Sequence, residues 1–134
     1  MNPHPVHRYP VVIREHHVDS FGHVNNAVYL ELLEEARWEM ITERGYGLEK
    51  IRETGQGPTI LEIHLLFIQE LRLRESVVIH TQNITYEKRI LQLKQWITNA
   101  EEKICCEAVF KIGLFDVRER KLIPPTVEWL NAMS

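Results

Sequence analysis

The segment Asp19-Ser-Phe-Gly22-His23-Val-Asn25-Asn26-Ala-Val-Tyr29 leads a short polar loop into a long amphipathic helix. Glutamates lie on one side of this helix, and Asn25 or Asn26 suits its N-cap, while Gly45 suits its C-terminal stop. Over residues 26–44, the segment predicts a helix of about 28 Å, enough to cross a small domain. Apolar side chains recur on the other side at helical spacing: Tyr29, Leu32, Leu33, Ala36 and Met40.

Strand-like segments surround this helix. Residues 9–18 precede it, and four further segments follow a Gly-rich break, at 59–69, 76–86, 90–100 and 103–115. Their connections are too short to hold crossover helices, which favours antiparallel pairing. Short helical segments are expected at 48–53 and 127–133. The order predicts an α+β fold in which a single antiparallel sheet of about five strands wraps around one long helix.

Length and composition set further bounds. The 134 residues suit a single domain over 1–134, large enough to bury a core without metal or disulfide. A net charge of −3 gives no reason to expect nucleic acid as a partner. No apolar run approaches the roughly 20 residues of a transmembrane helix. The N-terminal residues lack the regions of a signal peptide, so we expect a cytoplasmic protein without membrane contact.

The loop before the helix combines groups that can act on a carbonyl. A helix start carries unpaired backbone N–H groups and a partial positive charge, and both stabilise a negative oxygen. Asp19 supplies a carboxylate, which can serve as nucleophile or general base. These are the parts needed for attack on an acyl carbonyl.

The segment from Val18 to Trp38 resembles the hotdog-fold acyl-CoA thioesterases of the 4-hydroxybenzoyl-CoA thioesterase type. The family pattern is Asp, two residues, Gly-His-Val-Asn-Asn, then Tyr, then Glu and Ala-Arg on the helix. The resemblance implies a hotdog fold, a homodimer with a joined sheet and often a tetramer, with active sites between subunits. It also implies hydrolysis of an acyl-CoA to free acid and coenzyme A without a cofactor. The matching residues here are Asp19, Gly22-His23-Val24-Asn25-Asn26, Tyr29, Glu34 and Ala36-Arg37.

The same resemblance assigns roles in the loop. Asp19 would attack the thioester carbonyl or activate a water, and both routes stay open. The Asn26 N–H would bind the carbonyl oxygen, an interaction of about 3–4 kcal/mol per donor in other systems. Gly22 would permit close substrate approach or a positive φ. His23 is expected to orient the carboxylate, contact the thioester or protonate the leaving group, and Asn25 to cap the helix and position substrate.

Other charged residues are weaker candidates. Lys88 and Arg89 match a turn that meets the nucleotide phosphates of coenzyme A in the family. Some hotdog enzymes use a helix carboxylate from the partner subunit, so Glu34 and Glu35 are further candidates. The row of glutamates on this helix is, however, more typical of a solvated or interface face. No residue spacing resembles a zinc motif, so no metal is expected.

Two other functions remain open. One is hydrolysis of acyl groups carried on acyl carrier protein. The other is a non-catalytic acyl-CoA-binding hotdog protein, against which the complete loop around Asp19 argues. The identity and length of the acyl chain cannot be predicted from the sequence.

Overall fold

The computed structural model describes residues 4–134, in which a single antiparallel sheet packs against one long helix. The helix α1 has 18 residues, and a single 3₁₀ turn at Glu15–His17 precedes it. In chain order the elements are β1 His7–Val12, α1 Asn26–Glu43, α2 Leu48–Thr54, β2 Gln56–Phe67, β3 Ser76–Glu87, β4 Ile90–Thr98, β5 Ile104–Asp116, β6 Lys121–Ile123 and α3 Val127–Met133.

The strands pair in the order β1-β3-β4-β5-β2, and β6 pairs with the end of β5 on the edge that β4 occupies, just beyond the start of β4. Every pairing is antiparallel, from His7↔Thr81 at one side to Ile63↔Phe110 at the other. The prediction of an α+β hotdog fold with one antiparallel sheet around a long helix is therefore confirmed. The sheet has six strands rather than about five.

The predicted apolar face of α1 forms the centre of the core. Each of its five predicted apolar residues is at most 6% exposed. Asn25 is the N-cap, and its side chain accepts a hydrogen bond from the Ala27 N–H at 2.9 Å. Gly45 follows the helix with φ +85°, a left-handed conformation that favours glycine. Within residues 4–134, no helix is both long and apolar enough to cross a membrane.

Two elements differ from the sequence prediction. Residues 9–18 were predicted as one strand, but β1 ends at Val12 because its pairing partner β3 begins at Ser76. The chain then makes the 3₁₀ turn, in which the His17 Nδ1 accepts a hydrogen bond from the Arg14 N–H at 2.9 Å. The short strand β6 was not predicted. It returns along β5 through a turn in which the Asp116 carboxylate accepts two backbone N–H bonds.

The strand β2 lies at one edge of the sheet. Within residues 4–134 it pairs with β5 alone, and large apolar side chains along and just beyond it are about half exposed. An unpaired strand edge offers backbone N–H and C=O groups to another strand. The exposed side chains are Ile60, Leu61, Ile63, Leu66, Phe67 and Ile68.

Candidate active site

A tight hairpin-like loop carries the predicted catalytic carboxylate. Val18 and Val24 form an isolated antiparallel bridge, and the Asp19 N–H donates to the His23 carbonyl at 2.9 Å. Gly22 sits at the turn with φ +80°, a conformation that most other residues adopt only under strain. The backbone therefore fixes Asp19 at the base of a closed loop.

Two backbone N–H groups orient the Asp19 carboxylate. Its Oδ1 accepts hydrogen bonds from the His23 N–H at 3.1 Å and the Phe21 N–H at 2.9 Å. These two bonds hold the pKa of the Asp19 carboxyl below its usual range, because they favour the charged form. Within the described part of the chain, the other oxygen, Oδ2, accepts no hydrogen bond. Asp19 thus presents a charged, oriented carboxylate with one free oxygen.

The start of α1 supplies a donor close by in the chain. The Asn25 side chain caps the Ala27 N–H, and the Asn25 carbonyl accepts from the Val28 N–H at 3.0 Å. The Asn26 N–H has no hydrogen-bond partner among residues 4–134. An unpaired N–H at a helix start, where the dipole is positive, is suited to bind a negative oxygen.

The imidazole of His23 contacts Glu70. Its Nε2 lies 3.5 Å from the Glu70 Oε1, and both side chains are more than half exposed. The hydrogen bond from His23 to the Asp19 side chain comes from its backbone N–H and not from its ring. The geometry thus supports an orienting role for the His23 backbone and leaves its ring accessible to a ligand.

Lys88 and Arg89 lie at the opposite end of the sheet from Asp19. Their turn follows β3, whereas the Asp19 loop adjoins the start of β3, where the Ile13 N–H bonds the Glu75 carbonyl. The 12 residues of β3 span roughly 40 Å. Arg89 also donates to the Leu122 carbonyl at 2.7 Å. A single chain therefore does not bring this turn to Asp19.

The helix carboxylates differ in their contacts. Glu35 accepts a hydrogen bond from the Tyr9 hydroxyl at 2.7 Å, which raises the pKa of Tyr9 to about 12. Glu34 is exposed and lines a small cavity between α1 and β2. Only Glu34 of this pair is therefore free to face a ligand.

A buried polar network beneath α1 could not be predicted from local sequence patterns. The Arg37 guanidinium donates to the Gln95 Oε1 at 2.9 Å and lies 4.4 Å from the centre of the Phe110 ring. The Gln95 Nε2 donates at 3.0 Å to both the Leu33 carbonyl and the Thr81 hydroxyl. Burial lowers the pKa of Arg37 to about 10. The network joins α1 to the centre of the sheet and so positions the helix start.

Other groupings do not form part of this site. A surface concavity of about 700 Å³ lies on the outer sheet face beside Arg8 and His80, and none of its lining residues belongs to the Asp19 loop. In the described part of the chain, no three His, Cys, Asp or Glu side chains cluster as metal ligands would.

Known proteins show similarity over most of the chain. The family model described as the thioesterase-like superfamily matches residues 13–132. The long-chain acyl-CoA thioesterase FadM of Escherichia coli (strain K12) is 26% identical over 114 residues, which cover 84% of this chain and 86% of FadM. A chloroplastic acyl-acyl carrier protein thioesterase of Arabidopsis thaliana is 29% identical over 73 residues, which cover 54% of this chain and only 38% of that relative. The solved structure of YbaW, a probable thioesterase from Escherichia coli, has a TM-score of 0.82 at 25% identity, covering 94% of this chain and 97% of YbaW.

Proposed function

Because the chain belongs to the thioesterase-like superfamily, a family of thioester hydrolases, we propose that it hydrolyses an acyl-CoA thioester to a free acid and coenzyme A. The similarity to FadM along most of both chains supports acyl-CoA as the substrate class. Within the superfamily, the motif from Asp19 to Arg37 supports the 4-hydroxybenzoyl-CoA thioesterase type. The reaction needs water as its only co-reactant, and coenzyme A enters as part of the substrate.

One observation carries the catalytic assignment. The Asp19 carboxylate, held by two backbone N–H groups, lies seven residues before the unpaired N–H of Asn26. In the proposed mechanism, the thioester carbonyl oxygen accepts a hydrogen bond from the Asn26 N–H. Negative charge develops on this oxygen as the carbonyl carbon is attacked. The free Oδ2 of Asp19 either attacks that carbon or takes a proton from an attacking water. The bond to sulfur then breaks, and the coenzyme A thiolate takes a proton from the solvent or from His23. If Asp19 is the nucleophile, the acyl group is left as an anhydride on its carboxylate, and a water hydrolyses this anhydride to the free acid and restores Asp19.

We further propose that the site is completed by a second copy of the chain. Pairing of two β2 edges would bury the half-exposed apolar side chains and extend the sheet across a homodimer. A two-fold axis through the paired strands reverses their direction. The partner's Lys88 and Arg89 would then lie at the same end of the joined sheet as Asp19, where they would meet the phosphates of coenzyme A. Two such dimers could associate further into a tetramer.

The Arabidopsis relative supports a second candidate, the hydrolysis of acyl groups on acyl carrier protein. The two substrates share the pantetheine arm but differ in what lies beyond it. Charge reversal by Lys88→Glu with Arg89→Glu should raise KM for acyl-CoA at least tenfold if this turn binds the nucleotide. The second candidate would be favoured if this variant kept the wild-type KM for acyl-CoA and the protein turned over the carrier-protein ester faster than acyl-CoA.

The decisive experiment follows thiol release from acetyl-, medium-chain, long-chain and aromatic acyl-CoAs by the wild-type protein and by Asp19→Asn. The substitution keeps the size of the side chain and an oxygen that can accept the two backbone N–H bonds. We expect turnover to fall by at least a hundredfold while substrate binding and the unfolding midpoint stay near wild type. Near-normal turnover by Asp19→Asn would refute the assignment of Asp19. Binding of acyl-CoA without turnover by the wild-type protein would instead indicate a non-catalytic acyl-CoA-binding protein.

A further inference from the structure

Two cavities meet at the indole of Trp38. The smaller, about 110 Å³, lies between α1 and β2. The larger, about 270 Å³, lies towards α2 and the end of β5, where Ile51 and Phe115 contribute apolar walls. Trp38 and Pro58 line both cavities, so these two residues form the wall between them.

The smaller cavity lies further along α1 from the candidate active site, on the side of the helix that faces β2. Leu30, Glu34 and Trp38 follow Asn26 at four-residue spacing, so they form one inclined ridge along α1. On the facing strand, Phe67 lies beside the start of the helix, with its ring 5.1 Å from that of Tyr29. Further along β2, Ile60 and Pro58 line the same cavity as Trp38. An acyl chain held at the Asn26 N–H and laid along α1 beside β2 would therefore reach the smaller cavity at Trp38, and we call this path the acyl groove.

The length of this groove corresponds to a definite acyl chain. Trp38 lies 12 residues beyond Asn26, a distance of about 18 Å along the helix axis. An extended hydrocarbon advances about 1.3 Å per carbon, given a C–C bond of about 1.5 Å. A chain whose carbonyl is held at Asn26 would therefore meet the indole after about 14 carbons.

Resting on the proposed thioesterase function, we propose that Trp38 determines the maximum acyl-chain length that the site accepts. The indole closes the acyl groove at its far end and separates it from the larger cavity. Trp38 is half-buried against the core, and its N–H makes no hydrogen bond to residues 4–134. Removing the ring therefore opens the larger cavity without leaving a polar partner unpaired.

The test is a series of kcat/KM values for saturated acyl-CoAs from 8 to 20 carbons. For the wild-type protein, kcat/KM should rise by up to roughly fourfold per methylene, the value of one buried CH₂ group, and should stop rising near 14 carbons. Trp38→Ala should move the preferred length upward by about four carbons, because the chain enters the larger cavity. If Trp38→Ala fails to fold, Trp38→Leu removes most of the ring and keeps an apolar side chain.

Trp96→Ala is the matched control. Trp96 lies on the opposite face of the sheet, stacked on His80 with the ring centres 4.9 Å apart, and lines neither cavity. Its removal should leave the length profile unchanged. An unshifted profile in both Trp38 variants would overturn the inference while leaving the thioesterase proposal intact. If the wild-type protein turns over no ester, the same series is measured as Kd; a shifted length preference then supports the role of Trp38, and an unshifted one refutes it.

Discussion

Replacing Gln95 with leucine tests whether the polar network beneath α1 positions the helix. Gln95 is fully buried on β4 and makes three hydrogen bonds, one from the Arg37 guanidinium and two from its own amide. We assign about 2 kcal/mol to the charge-assisted bond and about 1 kcal/mol to each neutral one. The added apolar surface of the leucine contributes about 1 kcal/mol to the free energy of unfolding and offsets part of this loss. The expected loss in the free energy of unfolding is therefore about 3 kcal/mol.

Urea unfolding at a fixed protein concentration measures this loss. With an m-value of about 2 kcal/mol/M, the midpoint should fall by about 1.5 M. Gln92→Leu is the matched control, because Gln92 lies on the same strand but faces the outer side of the sheet. That variant should stay within about 0.5 kcal/mol of the wild-type protein.

A double-mutant cycle separates the network from ordinary packing. Arg37→Met alone leaves the Gln95 oxygen without its donor, and Gln95→Leu alone leaves a buried cation without its acceptor. The double variant removes both partners, so its loss should be smaller than the sum of the single losses by at least about 1 kcal/mol. Additive losses, or a loss below about 1 kcal/mol in Gln95→Leu, would refute the reasoning.

Three further predictions follow from the loop and from β1. Asn25→Ala removes the cap of the Ala27 N–H and should cost about 1 kcal/mol of unfolding free energy, whereas Asn25→Asp should keep most of it; equal losses in urea unfolding would contradict the capping role. The pKa of Asp19 is lowered, so its carboxylate stays charged in mildly acidic solution. In a pH profile of kcat/KM, the acidic limb should therefore lie below the usual carboxylate range while the protein stays folded. An acidic limb at or above pH 5 would argue against Asp19 as the titrating group. The pKa of Tyr9 is raised to about 12, so its stabilising contribution is present below pH 10 and is lost as the pH rises through about 12; alkaline absorbance titration of the wild-type protein against Tyr9→Phe measures this, and an ordinary tyrosine titration would count against the bond to Glu35.

Much of the fold could be predicted because its signals are local. The apolar spacing from Tyr29 to Met40 fixed the buried face of α1, and Asn25 and Gly45 marked its ends. The loop could be predicted as well, because Asp19 and Asn25 accept hydrogen bonds from residues within four positions. The assignment of Asp19 and Asn26 as catalytic groups stays a prediction.

Features that depend on distant residues could not be predicted. The end of β1 at Val12 is set by where β3 begins, more than 60 residues later in the chain. Likewise, the hydrogen bond from Arg37 to Gln95 joins residues 58 positions apart in the chain. The distance between the Lys88 turn and Asp19 also emerges only when the strand order is known.

The two edges of the sheet differ in a way that bears on polymer growth. β1 is six residues long and has Pro10 in its middle, so it presents an interrupted row of donors. The 62–67 half of β2 contains no proline and exposes apolar side chains. If two copies join through β2 as proposed, the short, proline-containing β1 strands would lie at the two ends of the joined sheet. Addition of further strands would then be disfavoured, so the joined sheet would be protected from growing into a fibre.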